Sequence, residues 1–288
     1  MSIALFITRK DPQPWLKQLR EELPEVRIDL CDEVTDPEAI EMAVCWKPVP
    51  DSLSAFPNIR FIQSIGAGIE HVTKTQQLTD EMRLSRFIDD KLSQDIYEYV
   101  LAGIMSHLRH LGSAINQRSW TPQPYRTLKE TTVTVLGLGE IGGHVAKSLA
   151  KLGTNVQGWS RTPKSLDGVR CLAGPEQLNE ALTGSDILVN VLPLTDETHG
   201  ILNADTLGQL NANGYLINVG RGHHLVEKDL LMLIKDRKMS GALLDVFQTE
   251  PLPEAHAFWH RPEITVTPHV AAISDRLRAV NLIVENWK

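Results

Sequence analysis

Four polar side chains in the second half of the sequence stand where strand-like apolar runs end. Arg221 closes Gly214-Tyr-Leu-Ile-Asn-Val-Gly-Arg221, and Asp245 follows Gly241-Ala-Leu-Leu. Glu250 lies just beyond that second run, and His269 follows Ile264-Thr-Val-Thr-Pro268. In a doubly wound parallel sheet, ligands bind at the carboxyl ends of strands, so the four are expected on one edge. A guanidinium binds a carboxylate and a neighbouring carbonyl oxygen bidentately. An imidazole holds a proton near neutral pH and releases it, which makes His269 a candidate general acid. Glu250 could hydrogen-bond that ring and favour its charged form, and Asp245 could accept from a carboxamide. Singly, each residue type is most often a surface residue; their convergence from separate strand ends makes the set.

Such a set polarises and protonates a carbonyl that receives a hydride, so a hydride carrier is expected upstream. Val133-Thr-Val-Leu136 is strand-like, Gly137-Leu-Gly139-Glu140-Ile141-Gly142 follows, a helical segment runs from about Gly143 to Leu152, and Asn155–Trp159 is strand-like again. Strand, glycine turn, helix and strand make half of a dinucleotide-binding unit. Gly137 permits the tight turn, Gly139 lets the backbone approach a pyrophosphate, and Gly142 lets the helix pack on the strand. The helix N-terminus offers N–H groups to the phosphates. Where NAD sites usually carry an acidic residue for the ribose 2′-hydroxyl, this chain has Ser160-Arg161-Thr162-Pro163-Lys164. A guanidinium and hydroxyls suit a 2′-phosphate, so NADP(H) is the expected preference, with NAD(H) possible.

The elements that must position these groups alternate strand and helix, which implies parallel sheets. In residues 1 to about 90 the strand candidates are Ile3–Ile7, Val26–Leu30, Ala43–Trp46, Phe61–Ile65 and Arg83–Phe87. The helix Pro14–Leu23 carries Trp15, Leu16, Leu19 and Leu23 at helical spacing. Ser64-Ile-Gly-Ala-Gly68 leaves the amides of Ala67 and Gly68 bare in a turn before a helix, a nest suited to a carboxylate or else a plain tight turn. A helical pattern runs from about Lys91 to Trp120. Val169–Leu172, Asp186–Leu192, Gly214–Arg221, Gly241–Phe247 and Ile264–His269 read as strands, while Pro175–Leu182, Glu227–Lys238 and the tail Ala271–Trp287 read as helices.

The 288 residues suffice for two domains. A hydrophobic content of 42%, charged content of 23% and net charge of −7 describe a globular protein with no basic surface for nucleic acid. No apolar stretch reaches the length of a membrane helix. The N-terminal run lacks the marks of a signal peptide. Cys31, Cys45 and Cys171 are odd in number and lack metal-ligand spacing, so inert thiols in a reducing cytoplasm are expected, with no metal.

Three segments together carry a resemblance: Asn218-Val-Gly-Arg221-Gly222, Leu244-Asp245-Val-Phe-Gln-Thr-Glu250-Pro-Leu-Pro253 and Thr267-Pro-His269-Val-Ala-Ala. With the glycine turn and Ser64-Ile-Gly-Ala-Gly68, they resemble the D-isomer-specific 2-hydroxyacid dehydrogenases over most of the chain. Cys45-Trp46-Lys-Pro, Trp159-Ser-Arg-Thr and Pro268-His-Val-Ala-Ala-Ile273 are similar to the glyoxylate/hydroxypyruvate reductase A group of that family. The resemblance implies Arg221 as the substrate-binding arginine, His269 as acid/base and Glu250 as its partner. It implies Ala67 and Gly68 as carboxylate-binding amides, and Trp46 as a pocket wall. Leu192 and Pro193 would line the nicotinamide side, with Asp245 at its carboxamide, and Val219 would also bind the cofactor. It further implies a cytoplasmic homodimer with Trp120 near the partner's active site.

The expected fold is α/β: a Rossmann-type doubly wound parallel sheet over 93–272, and a flavodoxin-like substrate domain over 1–92 and 273–288, with the active site in the cleft. The expected reaction is NADPH-dependent reduction of a small 2-oxo acid, glyoxylate or hydroxypyruvate. The rivals are a dehydrogenase for a larger 2-oxo acid such as phenylpyruvate, and a non-catalytic nucleotide-sensing protein. Two features depart from the family pattern. After Arg221 the chain reads Gly-His223-His224-Leu, for which the sequence offers no account. The chain also ends at Lys288 within the returning helix, where truncation is expected.

Overall fold

Apolar runs that do not alternate become strands covered on both faces, because only crossover helices can join parallel neighbours. The computed structural model describes residues 2–115 and 118–288. Contacts divide the chain into two compact units, Met1–Asp89 with Ile273–Lys288, and Asp90–Ala272.

The first unit contains β1 (Ser2–Ile7), α1 (Gln13–Glu22), β2 (Arg27–Leu30), β3 (Ile40–Trp46), β4 (Phe61–Ser64), α2 (Glu70–Thr73) and β5 (Arg83–Arg86). Its sheet is parallel, in the flavodoxin-like order β2-β1-β3-β4-β5. All six residues of β1 are buried. Helix α1 buries Trp15, Leu16 and Leu19 on one stripe, with a proline in its first turn.

The second unit contains α3 (Asp90–Leu108), α4 (Leu111–Ala114), β6 (Thr132–Leu136), α5 (Glu140–Lys151), β7 (Asn155–Ser160), β8 (Val169–Ala173) and α6 (Leu178–Leu182). It continues with β9 (Ile187–Asn190), α7 (Ala204–Leu207), β10 (Gly214–Asn218), α8 (Glu227–Lys235), β11 (Met239–Leu244) and β12 (Ile264–Val266). The last helix, α9 (Arg276–Trp287), belongs to the first unit. The second sheet runs β12-β11-β10-β9-β6-β7-β8, parallel throughout. Counted from β6, this is the Rossmann order with one more strand, and the direction of winding reverses between β6 and β9. One face buries Val100, Ile104, Val145 and Leu149 from α3 and α5; the other buries Leu182, Leu230 and Leu233 from α6 and α8. Among the described residues no helix is long and apolar enough to cross a membrane.

Four of the elements that differ from their sequence expectation do so for a visible reason. The helical pattern expected to Trp120 stops at Leu108: His110 adopts φ 55° and donates from Nε2 to the Pro124 carbonyl, 2.8 Å. Asn116 and Gln117 of that pattern lie outside the described residues. Helix α8 stops at Lys235 rather than Lys238. Arg237 takes φ 55°, and the Lys238 and Arg237 amides return to Leu233 O (2.9 Å) and Ile234 O (3.0 Å). That is a Schellman stop without the usual glycine. The tail helix starts at Arg276 rather than Ala271, capped by Asp275, whose carboxylate accepts from Arg278 N, 3.2 Å. Helix α7, unforeseen in the sequence, is nucleated by the Asn203 side chain accepting from Asp205 N and Thr206 N.

At the amino edge of the second sheet, Asp186 accepts from Thr132 N (2.8 Å), Asn211 Nδ2 (2.9 Å) and Arg126 Nη2 (2.9 Å). Burial alone would raise its pKa; these bonds and the Arg126 charge outweigh it and hold the carboxyl below its usual range. Nearby, the His107 ring stacks on Tyr215 with centroids 4.0 Å apart and planes 14° apart. Burial first, then the neighbouring His110 and Arg126, push its pKa from 6.5 down to about 4. Between those values the unfolded chain takes up a proton that the folded chain refuses, so stability must fall as pH drops through that window. Replacing His107 with Phe keeps the stack and removes the titration. Urea midpoints at pH 7, 5.5 and 4 should then decline less steeply than in the parent; an unchanged decline would refute this origin.

Candidate active site

The glycine turn lies at the carboxyl end of β6, beside the point where the winding reverses. Gly137 has φ +97°, a region that L side chains rarely adopt. Gly142 opens α5 against the turn so closely that a Cβ would lie 1.8 Å from Gly137 O. Both glycines are therefore required by the protein itself. Gly139 is not: its φ is −73°, and a Cβ there would meet nothing within 4 Å. Open space over this residue, beside a helix N-terminus that no side chain caps, fits a phosphate group that needs the backbone bare. Glu140 and Ile141 form the first helical positions. The residues thus fit a dinucleotide, whose pyrophosphate Gly137–Gly142 would hold.

Beyond β7, the Ser160 hydroxyl donates into its own turn, to Thr162 O, 2.8 Å. Arg161, Thr162 and Lys164 are exposed. The Arg161 charge is felt at Glu197, whose pKa is lowered first by the Thr195 hydroxyl and, more weakly, by Arg161. After β9, Leu192 is buried and Pro193 exposed, and the Leu192 amide donates to Asn190 Oδ1, 3.3 Å.

Strands β10, β11 and β12 are neighbours, so Arg221, Glu250 and His269 follow adjacent strands at one edge. Arg221 is partly buried and donates from Nη1 to Gly220 O, 2.7 Å. Its successor Gly222 crosses the next loop so tightly that a Cβ would lie 1.9 Å from the Phe247 carbonyl carbon. Glu250 accepts from Phe247 N with Oε1 (3.1 Å) and faces His269 Nδ1 with Oε2 (2.9 Å). A carboxylate only accepts, so Nδ1 carries the proton and Nε2 is left for solvent or substrate. The His269 side chain is about half exposed, and its backbone sits at φ 57°.

That unusual backbone is held from beneath. Asp245 is 1% exposed. Its Oδ1 accepts from Thr267 Oγ1 (2.6 Å) and Val270 N (2.9 Å), and its Oδ2 from Ala271 N (2.9 Å). Because the Thr267 proton goes to Asp245, Tyr99 on α3 must donate to Thr267 Oγ1, 2.5 Å. Burial pushes the Tyr99 phenol pKa up and keeps it a donor. The sequence offered Asp245 only as a carboxamide acceptor and missed this brace; the signal was a carboxylate closing an apolar strand. It missed Asn190 and Asn218 too, although each interrupts a buried apolar strand end and the two are paired across β9 and β10.

In the first unit, Trp46 ends β3 and its ring lies 2.5 Å from where a Gly66 Cβ would stand. His71 accepts from Lys47 N (3.2 Å), so its Nε2–H donates to Ser64 Oγ, 3.1 Å. Ser64 in turn lies within bonding distance of the Gly66 and Gly68 carbonyls. The Gly66 carbonyl is thereby directed at Ser64, which turns the Ala67 amide of the same planar peptide the other way.

Residues 100–271 match the family profile described as D-isomer specific 2-hydroxyacid dehydrogenase, NAD binding domain. The chain belongs to this family. It is 35% identical to a Yersinia enterocolitica protein named glyoxylate/hydroxypyruvate reductase A, covering 99% of this chain and 94% of that one. A Xanthobacter autotrophicus family structure in complex with NADPH and MES superposes with a TM-score of 0.92 at 35% identity, covering 99% and 93% of the two chains. An NADPH-dependent glyoxylate/hydroxypyruvate reductase from Sinorhizobium meliloti, in complex with NADP and sulfate, gives 0.89 at 32% identity, covering 99% and 93%. The protein is thus an NAD(P)-dependent oxidoreductase built from two parallel α/β sheets.

The Asp245 brace is open to test. In Asp245→Asn the amide nitrogen must face at least one of three donors in a dry site, a loss of about 1–3 kcal/mol. Denaturant unfolding should register that loss, and kcat should fall with it as His269 loses its backing. A variant with parent stability and parent kcat would show that the brace is idle.

Proposed function

We propose that the protein reduces a small 2-oxo acid, glyoxylate to glycolate or hydroxypyruvate to D-glycerate, with NADPH. The observation that carries this reading is the 2.9 Å Glu250–His269 pair, a proton donor on the same sheet edge as a bidentate cation. Bound NADPH supplies the hydride. Arg221 binds the substrate carboxylate and polarises the adjacent carbonyl. Glu250 orients the ring through Nδ1–H, and the ring passes a proton from Nε2 to the oxygen as alkoxide character develops. The proposal extends to Trp46, Ala67 and Gly68 as substrate-binding residues, and to Leu192, Pro193, Val219 and Asp245 as the nicotinamide surround.

The preference for NADPH rests on Arg161, Thr162 and Lys164 in place of a carboxylate after β7, and is supported by relatives of known structure that carry NADPH or NADP. The same reading makes the protein a cytoplasmic homodimer that binds no nucleic acid, with Trp120, 99% exposed, facing the partner.

Purified protein given NADPH or NADH, with glyoxylate or hydroxypyruvate, should oxidise NADPH fast with at least one acid. Turnover only with NADH would discard the 2′-phosphate reading, and silence with both acids would point to a larger 2-oxo acid or a sensor. Arg161→Ala should raise the KM for NADPH about tenfold or more, as loss of a charge-assisted pair does, and leave that for NADH nearly unchanged; equal effects would sink the cofactor argument. His269→Ala should lower kcat by about 10²–10⁴-fold while NADPH binding, followed by protein fluorescence, stays intact.

A further inference from the structure

The histidine that the sequence left without an account is completely buried: His224 is 0% exposed, in the short turn Gly222–His224 that follows Arg221. Its Nδ1 lies 3.1 Å from the Arg221 backbone nitrogen and 2.8 Å from Asn190 Nδ2. Its Nε2 lies 3.2 Å from Pro193 O. A backbone N–H can only donate and a carbonyl can only accept, so the tautomer follows: Nδ1 is the acceptor and Nε2 carries the proton.

The surrounding amides agree with that assignment. Asn190 Oδ1 accepts from Leu192 N, so its nitrogen faces both His224 and Asn218 Oδ1, the latter at 2.9 Å. Asn218 Oδ1 also accepts from Gly220 N (3.2 Å), and its nitrogen donates to Arg221 O, 3.2 Å. Arg221 is thus held by both its N–H and its carbonyl, and the Leu192–Pro193 turn by one group from each residue. Gly220 fits the same network: a Cβ there would stand 2.8 Å from Asn190 Nδ2 and 3.1 Å from His224 Nδ1.

We propose that His224 is a positioning residue that fixes the main chain of Arg221 relative to the Leu192–Pro193 turn. This rests on the reading of Arg221 as the substrate cation and of Leu192–Pro193 as the nicotinamide wall. One neutral imidazole then sets the distance between the group that holds the oxo acid and the surface against which the hydride carrier lies. A leucine would fill the space but leave the Arg221 amide and the Pro193 carbonyl without this partner in a dry site. Neighbouring His223 is exposed and has no such place.

The two ring nitrogens can be removed separately. In His224→Asn the amide oxygen stands near the place of Nδ1 and keeps the acceptor for Arg221, while the donor to Pro193 is lost. In His224→Gln the amide nitrogen reaches toward Pro193, while the acceptor beside Arg221 is lost. The Gln variant should raise the KM for glyoxylate about tenfold or more, the scale expected when a binding group is misplaced, with the KM for NADPH little changed. The Asn variant should show the opposite split. Equal shifts in both constants in both variants, or none, would overturn the proposal and leave His224 as packing.

Should either variant fail to fold, Gly220→Ala disturbs the same network without replacing the histidine and should raise both constants; parent constants there would overturn the proposal equally. Dissociation constants for NADPH, and for oxalate as an unreactive carboxylate probe in the presence of NADP, should follow the same split in both variants. A parent chain silent toward both acids would therefore refute the functional reading while the positioning of Arg221 and Pro193 was still decided by binding.

Discussion

A buried carboxylate organises the reactive edge of this protein. Asp245 accepts three hydrogen bonds from the five-residue segment 267–271, and the consequences run both ways along the chain. His269, inside that segment, keeps a left-handed backbone at φ 57°, a conformation that costs a bulky residue about 1–3 kcal/mol unless its surroundings impose it. Two charge-assisted amide bonds and one hydroxyl bond are enough to impose it. The same bonds take the Val270 and Ala271 amides, and the last helix begins only beyond this segment, at Arg276. It waits for Asp275 to cap it. Through Thr267 the carboxylate also reaches Tyr99 on α3, and so the segment that carries His269 is joined to a helix packed on the sheet.

The glycines of the second unit divide by what demands them. Gly142 and Gly222 are fixed by close approach, 1.8 Å to Gly137 O and 1.9 Å to the Phe247 carbonyl carbon for any added Cβ, and Gly137 by its φ of +97°. Packing and turn geometry account for them without any ligand. Gly139 alone in its motif has room for a side chain and an ordinary φ. The fold tolerates a larger residue there; a phosphate lying on the backbone would not. A motif usually read as one signal is therefore two, one structural and one addressed to the cofactor.

Much of the fold was legible because parallel sheets leave a simple trace: unalternating apolar strands, separated by amphipathic helices. Arg221, Glu250 and His269 were legible for a related reason, since a polar residue of the right chemistry closing such a strand is conspicuous. What the sequence concealed are features decided by single tertiary hydrogen bonds. The stop at Leu108 depends on His110 reaching Pro124, and the stop at Lys235 on an arginine taking the place of glycine. Neither leaves a pattern in the residues alone. Asn190, Asn218 and His224 were hidden differently. They are polar residues in apolar company, and sequence reading treats those as noise unless their partners, up to 34 residues apart, are known.

The two halves of the proposed chemistry are therefore supported by different means. His269 is an exposed ring on a segment anchored to a buried charge. Arg221 is a permanent charge on a segment anchored by neutral amides and a neutral imidazole. A carboxylate under Arg221 would pair with the guanidinium and compete with an anionic substrate for it. A neutral amide network can grip the main chain without drawing the cation inward. Beneath His269 the charge does no such harm, because Asp245 is occupied by its three donors and the carboxylate that meets the ring is the exposed Glu250. The polarity of each support follows from the work of the side chain above it.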